Sequence, residues 1–228
     1  MPLLENIPIR LSPDYLINSL RLRKRKTASR LIEELIPTAE SLITLKVAYS
    51  LSYVEGRRGD SVRIGGQTFT SSILQKNLEN VEKVFPYIIT IGKDLEAAVA
   101  GLGDLLKQYY LEVIGDTALR MGKQHLEKKI KKEWCFEKVS SMSPGSLPNW
   151  PVTQQKPLFD LLGDTAKEIG VRLTESMLMI PRKSISGLIF PAEVTFTSCR
   201  LCDRKRCEAR MAPYDENARK RYGWSGEK

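Results

Sequence analysis

The sequence predicts an α+β protein in which a twisted antiparallel sheet is packed against helices. Residues 44–54 alternate apolar and polar side chains, the pattern of a strand with one buried face. Residues 105–130 carry apolar side chains at helical spacing and predict one long helix. The chain has few of the strand–helix–strand repeats that build parallel sheets, so an antiparallel sheet is favoured.

The other elements are predicted from local signals. Ser12 followed by Pro13 marks the start of the first helix, because proline suits the first helical position. The expected helices begin at 13, span 29–42 and 71–78, begin at 92, and span 105–130 and 159–170. The expected extended segments and strands span 3–10, 44–54, 61–69, 84–91, 171–179 and 185–196, with a turn at 55–59.

Two glycines interrupt the long predicted helix. Gly115 and Gly122 each cost about 1 kcal/mol there relative to alanine. We expect another element or a ligand to pack closely against the helix at both positions.

Length and composition indicate a globular chain. The 228 residues are 42% hydrophobic and 28% charged, which is typical of soluble proteins with a sizeable core. No run approaches the ~20 apolar residues that span a bilayer, and the first residues do not resemble a signal peptide. We therefore expect a cytoplasmic protein without membrane contact. The expected organisation is an N-terminal arm (1–30), a core (31–196) and a C-terminal cysteine segment (197–228).

The net charge of +9 has two interpretations. Basic residues concentrate at 21–26, at 128–132 and beyond Cys199. Such runs are either solvated helix faces or a surface that attracts nucleic acid or an acidic protein. Because no signature of a nucleic-acid-binding fold accompanies them, we do not expect a nucleic-acid partner.

Four cysteines form the strongest chemical signal. Cys199, Cys202 and Cys207 form a C-x2-C-x4-C array among basic neighbours, and Cys135 lies apart. Clustered cysteines in a cytoplasmic protein favour a metal site or redox chemistry over disulfides. Without a second CxxC pair the spacing disfavours a zinc ribbon, and His125 is interpreted as solvated. A [4Fe–4S] cluster held by the three cysteines, with Cys135 as fourth ligand, is favoured over structural zinc and over unligated thiols.

A Pro/Gly-rich loop spans residues 141–151. Prolines at 144, 148 and 151 restrict the backbone, and Gly145 permits shapes that other residues resist. Such a loop can hold a small molecule, or it can be an ordinary connection between core elements.

This loop, the Leu-Thr-Glu-Ser of 173–176 and the Ser-Ile-Ser-Gly of 184–187 together resemble the activation domain of cobalamin-dependent methionine synthase. The family pattern is Arg-x-x-x-Gly-Tyr-Pro, then Leu-Thr-Glu-Ser, then Ser-Val-Ser-Gly, and the resemblance extends over roughly residues 85–190. It implies that fold, and a binding site formed by Ser141, Pro144, Gly145, Ser146, Glu175, Ser186 and Gly187. Ser141 and Ser146 stand where the family has Arg and Tyr. We therefore expect S-adenosylmethionine to bind weakly or not at all.

The resemblance also implies a function. The family's activation domain brings S-adenosylmethionine to an oxidised corrinoid while an external reductant supplies an electron. This sequence has no Asp-x-His-x-x-Gly corrinoid signature, so the expected partner is a separate corrinoid-binding protein or a methionine synthase core carrying the cobalamin. We expect reductive activation of, or docking to, that partner, with electron delivery through the cysteine cluster. The alternatives are an S-adenosylmethionine-using subunit of a split methionine synthase and a non-catalytic, zinc-stabilised binding module.

Overall fold

The computed structural model describes residues 3–20, 25–205, 207 and 210–223. Within them the chain forms, in order, β1 (Leu3–Asn6), α1 (Pro13–Ser19), α2 (Lys26–Leu42), β2 (Lys46–Tyr49), β3 (Ser52–Arg58), β4 (Ser61–Ile64), β5 (Gln67–Thr70), α3 (Ser72–Asn77), β6 (Lys83–Thr90), α4 (Asp94–Ala100), α5 (Leu105–Glu133), β7 (Val139–Met142), α6 (Gln155–Leu162), α7 (Thr165–Glu168), β8 (Arg172–Leu173), β9 (Met179–Ile180), β10 (Ser184–Pro191) and α8 (Glu216–Arg221). The α+β prediction is confirmed.

The main sheet is antiparallel at every pairing between its eight strands. Strand β6 lies at its centre. It pairs with β2 and β3 on one side and with β10 on the other, and β10 then pairs with β7. Strands β8 and β9 form a separate small hairpin.

The strand predicted over 44–54 is two strands, β2 and β3, that run along the same side of β6 with a break at Ser50 and Leu51. Ser50 N donates to Pro86 O over 3.1 Å. Because Pro86 has no N–H to return the bond, the pairing is interrupted opposite it.

Helices cover both faces of the sheet. On one face, α1, α2, α4 and α5 enclose a core that includes Leu16, Ile32 and Ile114. On the other face, α3, α6 and α8 contribute to a second core around Trp150 and Phe190. The segment assigned to an N-terminal arm contributes Leu16, which is fully buried.

The glycines of α5 allow the close packing that the sequence predicted. A Cβ atom at Gly122 would lie 2.9 Å from Leu45 Cδ1, and one at Gly115 would lie 3.1 Å from Ile91 Cδ1. Helix α5 therefore approaches β2 and β6 more closely than a larger residue would permit.

Several predicted boundaries were wrong, and turns explain them. The expected strand 61–69 is the hairpin β4–β5, because Gly65 and Gly66 take positive φ. The expected helix 159–170 is the pair α6 and α7, divided at Gly163, whose φ is +56°. The expected strand 171–179 is the β8–β9 hairpin, and β10 ends at Pro191 rather than at 196.

None of the helices in the described part of the chain is long and apolar enough to cross a membrane.

Candidate functional site

The Pro/Gly segment begins as a strand and continues as a tight loop. Ser141 and Met142 belong to β7 and pair with Ile189 and Leu188 of β10, so the expected loop starts two residues later than predicted. Gly145 N donates to Trp150 O over 2.7 Å, and Gly145 has a φ of +80°. This backbone bond closes the loop.

Buried side chains hold the loop against the sheet. Pro144 and Leu147 are buried, and Trp150 is completely buried beneath the loop. The Trp150 ring meets Phe69 edge to face at 6.2 Å between centroids. The loop is therefore part of the second core, whatever else it does.

Asn149 ties the loop to the start of α3. Its Oδ1 accepts from Ser71 Oγ over 2.6 Å and from Ile73 N over 3.0 Å, and its Nδ2 donates to Ser72 Oγ over 3.0 Å. One amide side chain thus satisfies three polar groups from another element. Its partners lie 76–78 residues away in the chain, so no local signal marks this role.

Ser141 points toward α5. Its hydroxyl donates to Glu127 Oε1 over 3.2 Å, and Lys123 Nζ lies 3.7 Å from the same oxygen. The position at which the family pattern has an arginine therefore carries a neutral hydroxyl beside a carboxylate.

Gly187 lies on β10 where two backbones come very close. A Cβ atom there would lie 2.3 Å from Met142 O, 2.8 Å from Ser143 Oγ and 3.0 Å from Tyr87 OH. The Tyr87 hydroxyl is buried and has no hydrogen-bond partner among the described residues. Glycine is required at position 187 by the packing alone.

Ser186 and the segment around Glu175 are joined through Gln155. Ser186 Oγ donates to Gln155 Oε1 over 3.2 Å, and Gln155 Nε2 donates to Met177 O over 2.9 Å. Glu175 lies in the β8–β9 turn and lines an open cleft of about 610 Å³ with Phe159 and other residues of α6 and α7. Sequence analysis missed Gln155 because nothing local distinguishes a bridging amide.

The loop also contacts the cysteine segment. Ser146 Oγ donates to Ser143 O over 2.7 Å and lies 3.4 Å from Ser198 Oγ. The residues directly before the two segments are also joined, since Phe196 N donates to Ser140 Oγ over 2.7 Å. Two of the sequence motifs, the loop and the cysteine segment, are therefore neighbours in the fold.

Arg210 organises the cysteine segment. Its guanidinium donates to Cys199 O over 3.0 Å, to Cys202 O over 3.3 Å and to Ala212 O over 3.3 Å, and it also contacts Arg204 O. Cys199 Sγ accepts from Met211 N over 3.4 Å. The three thiols are half-buried.

Cys135 follows the end of α5 with a φ of +54°, and its thiol is exposed. It lines a cleft of about 500 Å³ with Phe136 and Ala192, and none of the other three cysteines lines that cleft. Within the residues that the structure describes, no three His, Cys, Asp or Glu side chains come together as a metal site. The thiols of Cys199, Cys202 and Cys207 lie in one short segment, and thiolates are the ligands that soft metals prefer.

The structure thus brings Ser141, Gly187 and Ser143 together at the β7–β10 pairing, and it places Ser146 beside the cysteine segment. Ser186 is connected to the turn that contains Glu175 through Gln155, which bonds Met177 O. Residues that sequence analysis did not single out fix the arrangement: Glu127, Asn149, Gln155 and Arg210.

Two comparisons with known proteins find similarity. The family model described as "vitamin B12 dependent methionine synthase, activation domain" matches residues 140–208, which include the loop, β10 and the cysteine array. A search of curated proteins finds no significant match. Among solved structures, a crystal structure of the MetH reactivation domain bound to AdoHcy superposes with a TM-score of 0.60 at 15% identity. The alignment covers 86% of this chain and 80% of that one. The chain therefore has the fold of that reactivation domain, and residues 140–208 match the activation-domain family in sequence.

Proposed function

We propose that this protein activates, or docks with, a corrinoid-binding protein in cobalamin-dependent methyl transfer. Two observations together support the proposal. The chain has the reactivation-domain fold, and the activation-domain family model matches its residues 140–208. The partner is a corrinoid-binding protein or a methionine synthase core outside this sequence.

Binding of S-adenosylmethionine is expected to be weak or absent. The solved neighbour is bound to AdoHcy, a related molecule. In this chain, Ser141 offers no guanidinium to a ligand carboxylate, and its hydroxyl is already donated to the Glu127 carboxylate. A charge-assisted hydrogen bond contributes about 1.5–3 kcal/mol, so its loss weakens binding by roughly ten- to a hundredfold.

The cysteine segment is proposed to hold a [4Fe–4S] centre through Cys199, Cys202 and Cys207, with Cys135 as the fourth ligand. Arg210 fixes the backbone that carries Cys199 and Cys202, and the Met211 N–H donates to Cys199 Sγ. When bound, such a centre supplies one electron at low potential, received from an external reductant. Ser146 and Ser198 bring the loop beside this segment, so a partner docked on the loop is close to it.

The test is anaerobic purification with analysis of iron, acid-labile sulfide and zinc. We expect iron and sulfide in equal amounts in the unaltered protein. Cys199→Ser, Cys202→Ser and Cys207→Ser each lower the iron content sharply, because a hydroxyl is a harder and poorer ligand for iron. Unchanged metal in all three variants would refute the ligand assignment. An intact cluster in Cys135→Ser would remove only the fourth-ligand proposal.

The same preparations distinguish the alternatives. Zinc without sulfide supports a zinc-stabilised binding module. Calorimetric titration that detects micromolar binding of S-adenosylmethionine supports a subunit that uses this methyl donor, as the AdoHcy-bound neighbour suggests. For the proposed activity, the cluster-loaded protein with a low-potential reductant should accelerate the reduction of cob(II)alamin, and Cys202→Ser should not.

A further inference from the structure

A cavity of about 490 Å³ lies between the end of α3, the segment 194–201 and α8. It is separate from the β7–β10 pairing and from the cleft that contains Glu175. Its apolar walls include Phe196, Leu201 and Tyr222, of which Leu201 is fully buried. The Phe196 and Tyr222 rings meet edge to face at 5.5 Å, and both rings line the cavity.

The walls of this cavity are held in place by contacts between α3 and α8. Tyr222 OH donates to Asn77 Oδ1 over 2.9 Å, and Lys76 Nζ donates to Arg221 O. Lys76 Nζ also lies 5.7 Å from the centre of the Tyr222 ring. The cavity is therefore preformed, which lowers the entropic cost of filling it.

Positive charge dominates its rim. Lys76, Arg200 and Arg221 line the cavity, against the single carboxylate of Glu79. Arg221 lies 3.8 Å from Asp215, whereas Arg200 forms no ion pair with any carboxylate of the described residues. A guanidinium without a carboxylate partner among the described residues, in a cavity also lined by aromatic side chains, suits a ligand that is anionic at one end.

We propose that this cavity binds a small amphipathic anion, with a flat apolar body against Phe196 and Tyr222 and a carboxylate, sulfonate or phosphate at Arg200 and Arg221. The cavity is lined in part by the cysteine segment itself, and Arg200 directly follows Cys199 in the chain. The proposal does not rest on metal binding or on a corrinoid partner.

Fluorescence titration with 8-anilino-1-naphthalenesulfonate tests it on the full chain, with the uncharged N-phenyl-1-naphthylamine as matched probe. We expect one saturable site for the sulfonate. The double variant Arg200→Gln and Arg221→Gln should bind the sulfonate at least tenfold more weakly, which corresponds to about 1.4 kcal/mol. Its affinity for the uncharged probe should stay within twofold of that of the unaltered protein. Arg172→Gln removes a cation from the larger cleft beside Glu175. This variant should change the affinity for neither probe.

Three results would overturn the proposal: no saturable binding, equal affinity of the double variant for the sulfonate, or loss of sulfonate binding in Arg172→Gln. Circular dichroism of each variant establishes that it is folded, so a negative result is not a folding failure. None of these measurements depends on the metal content of the preparation.

Discussion

Replacing Gly187 by alanine should destabilise the protein substantially. The added Cβ would lie 2.3 Å from Met142 O, about 1 Å inside ordinary contact distance. Strand β10 cannot move away from β7 without disturbing its pairing with β6. Overpacking of this kind costs about 1–3 kcal/mol, and one weakened backbone hydrogen bond adds about 1 kcal/mol. We expect the free energy of unfolding to fall by about 2–4 kcal/mol.

Gly56→Ala is the matched control. Gly56 is also a strand glycine, but no atom lies within 4 Å of its hypothetical Cβ. Its substitution should change the free energy of unfolding by no more than about 0.5 kcal/mol. Urea unfolding followed by tryptophan fluorescence measures both variants, and equal m-values establish that midpoints can be compared. If Gly187→Ala unfolds at the same urea concentration as Gly56→Ala, the close approach of β10 to Met142 O is refuted.

Two further predictions concern the loop and the C-terminal helix. Asn149→Ala should lower the free energy of unfolding by about 2–3 kcal/mol, because Ser71 Oγ and Ile73 N lose their acceptor. Thermal unfolding measures this loss of stability. Asn149→Asp keeps an acceptor oxygen, so its free energy of unfolding should fall by less than half as much. Equal losses in the two variants would contradict that reasoning. Burial, which outweighs the Asn77 hydrogen bond and the positive charge of Arg221, raises the pKa of Tyr222 above its ordinary value of 10.0. The unfolded chain therefore loses this proton first, so the stability due to Tyr222 is present below pH 10 and is lost as pH rises through the folded-state pKa. Between pH 8 and pH 11 the urea midpoint should fall less steeply for Tyr222→Phe than for the unaltered protein. An equally steep fall would show that Tyr222 does not cause the loss of stability.

Local patterns predicted the elements whose formation depends on their own residues. The helical spacing over 105–130 correctly predicted α5. The cost of Gly122 in a helix correctly indicated close packing, since Leu45 occupies the space where a Cβ atom of residue 122 would lie. The break between β2 and β3 could not be predicted in this way. Its cause is Pro86, which lies opposite Ser50 only after the sheet has formed.

In the candidate site, too, local backbone shape was predictable from the sequence, whereas long-range contacts were not. Gly145 and the prolines predicted a constrained loop, and the loop is one. The loop is anchored by Asn149, and Ser186 is oriented by Gln155. Both amides contact residues 22 or more positions away. Amide side chains occur throughout sequences, so their spacing carries no signal of such contacts.

The central position of β6 has a consequence for how this chain folds. Its first side is completed by β2 and β3, which precede it, whereas its second side waits for β10, with Ser184 pairing to Thr90 across 94 residues. Closing so long a loop is slow, because the chain loses conformational entropy before the new contacts form and stabilise the pairing. During synthesis, the buried apolar strand β6 is therefore exposed along one edge until about a hundred more residues have been made. Helices α4 and α5 come next in the chain, and α5, whose Gly122 packs against Ile89 of β6, is available throughout that interval to shield one face of the strand.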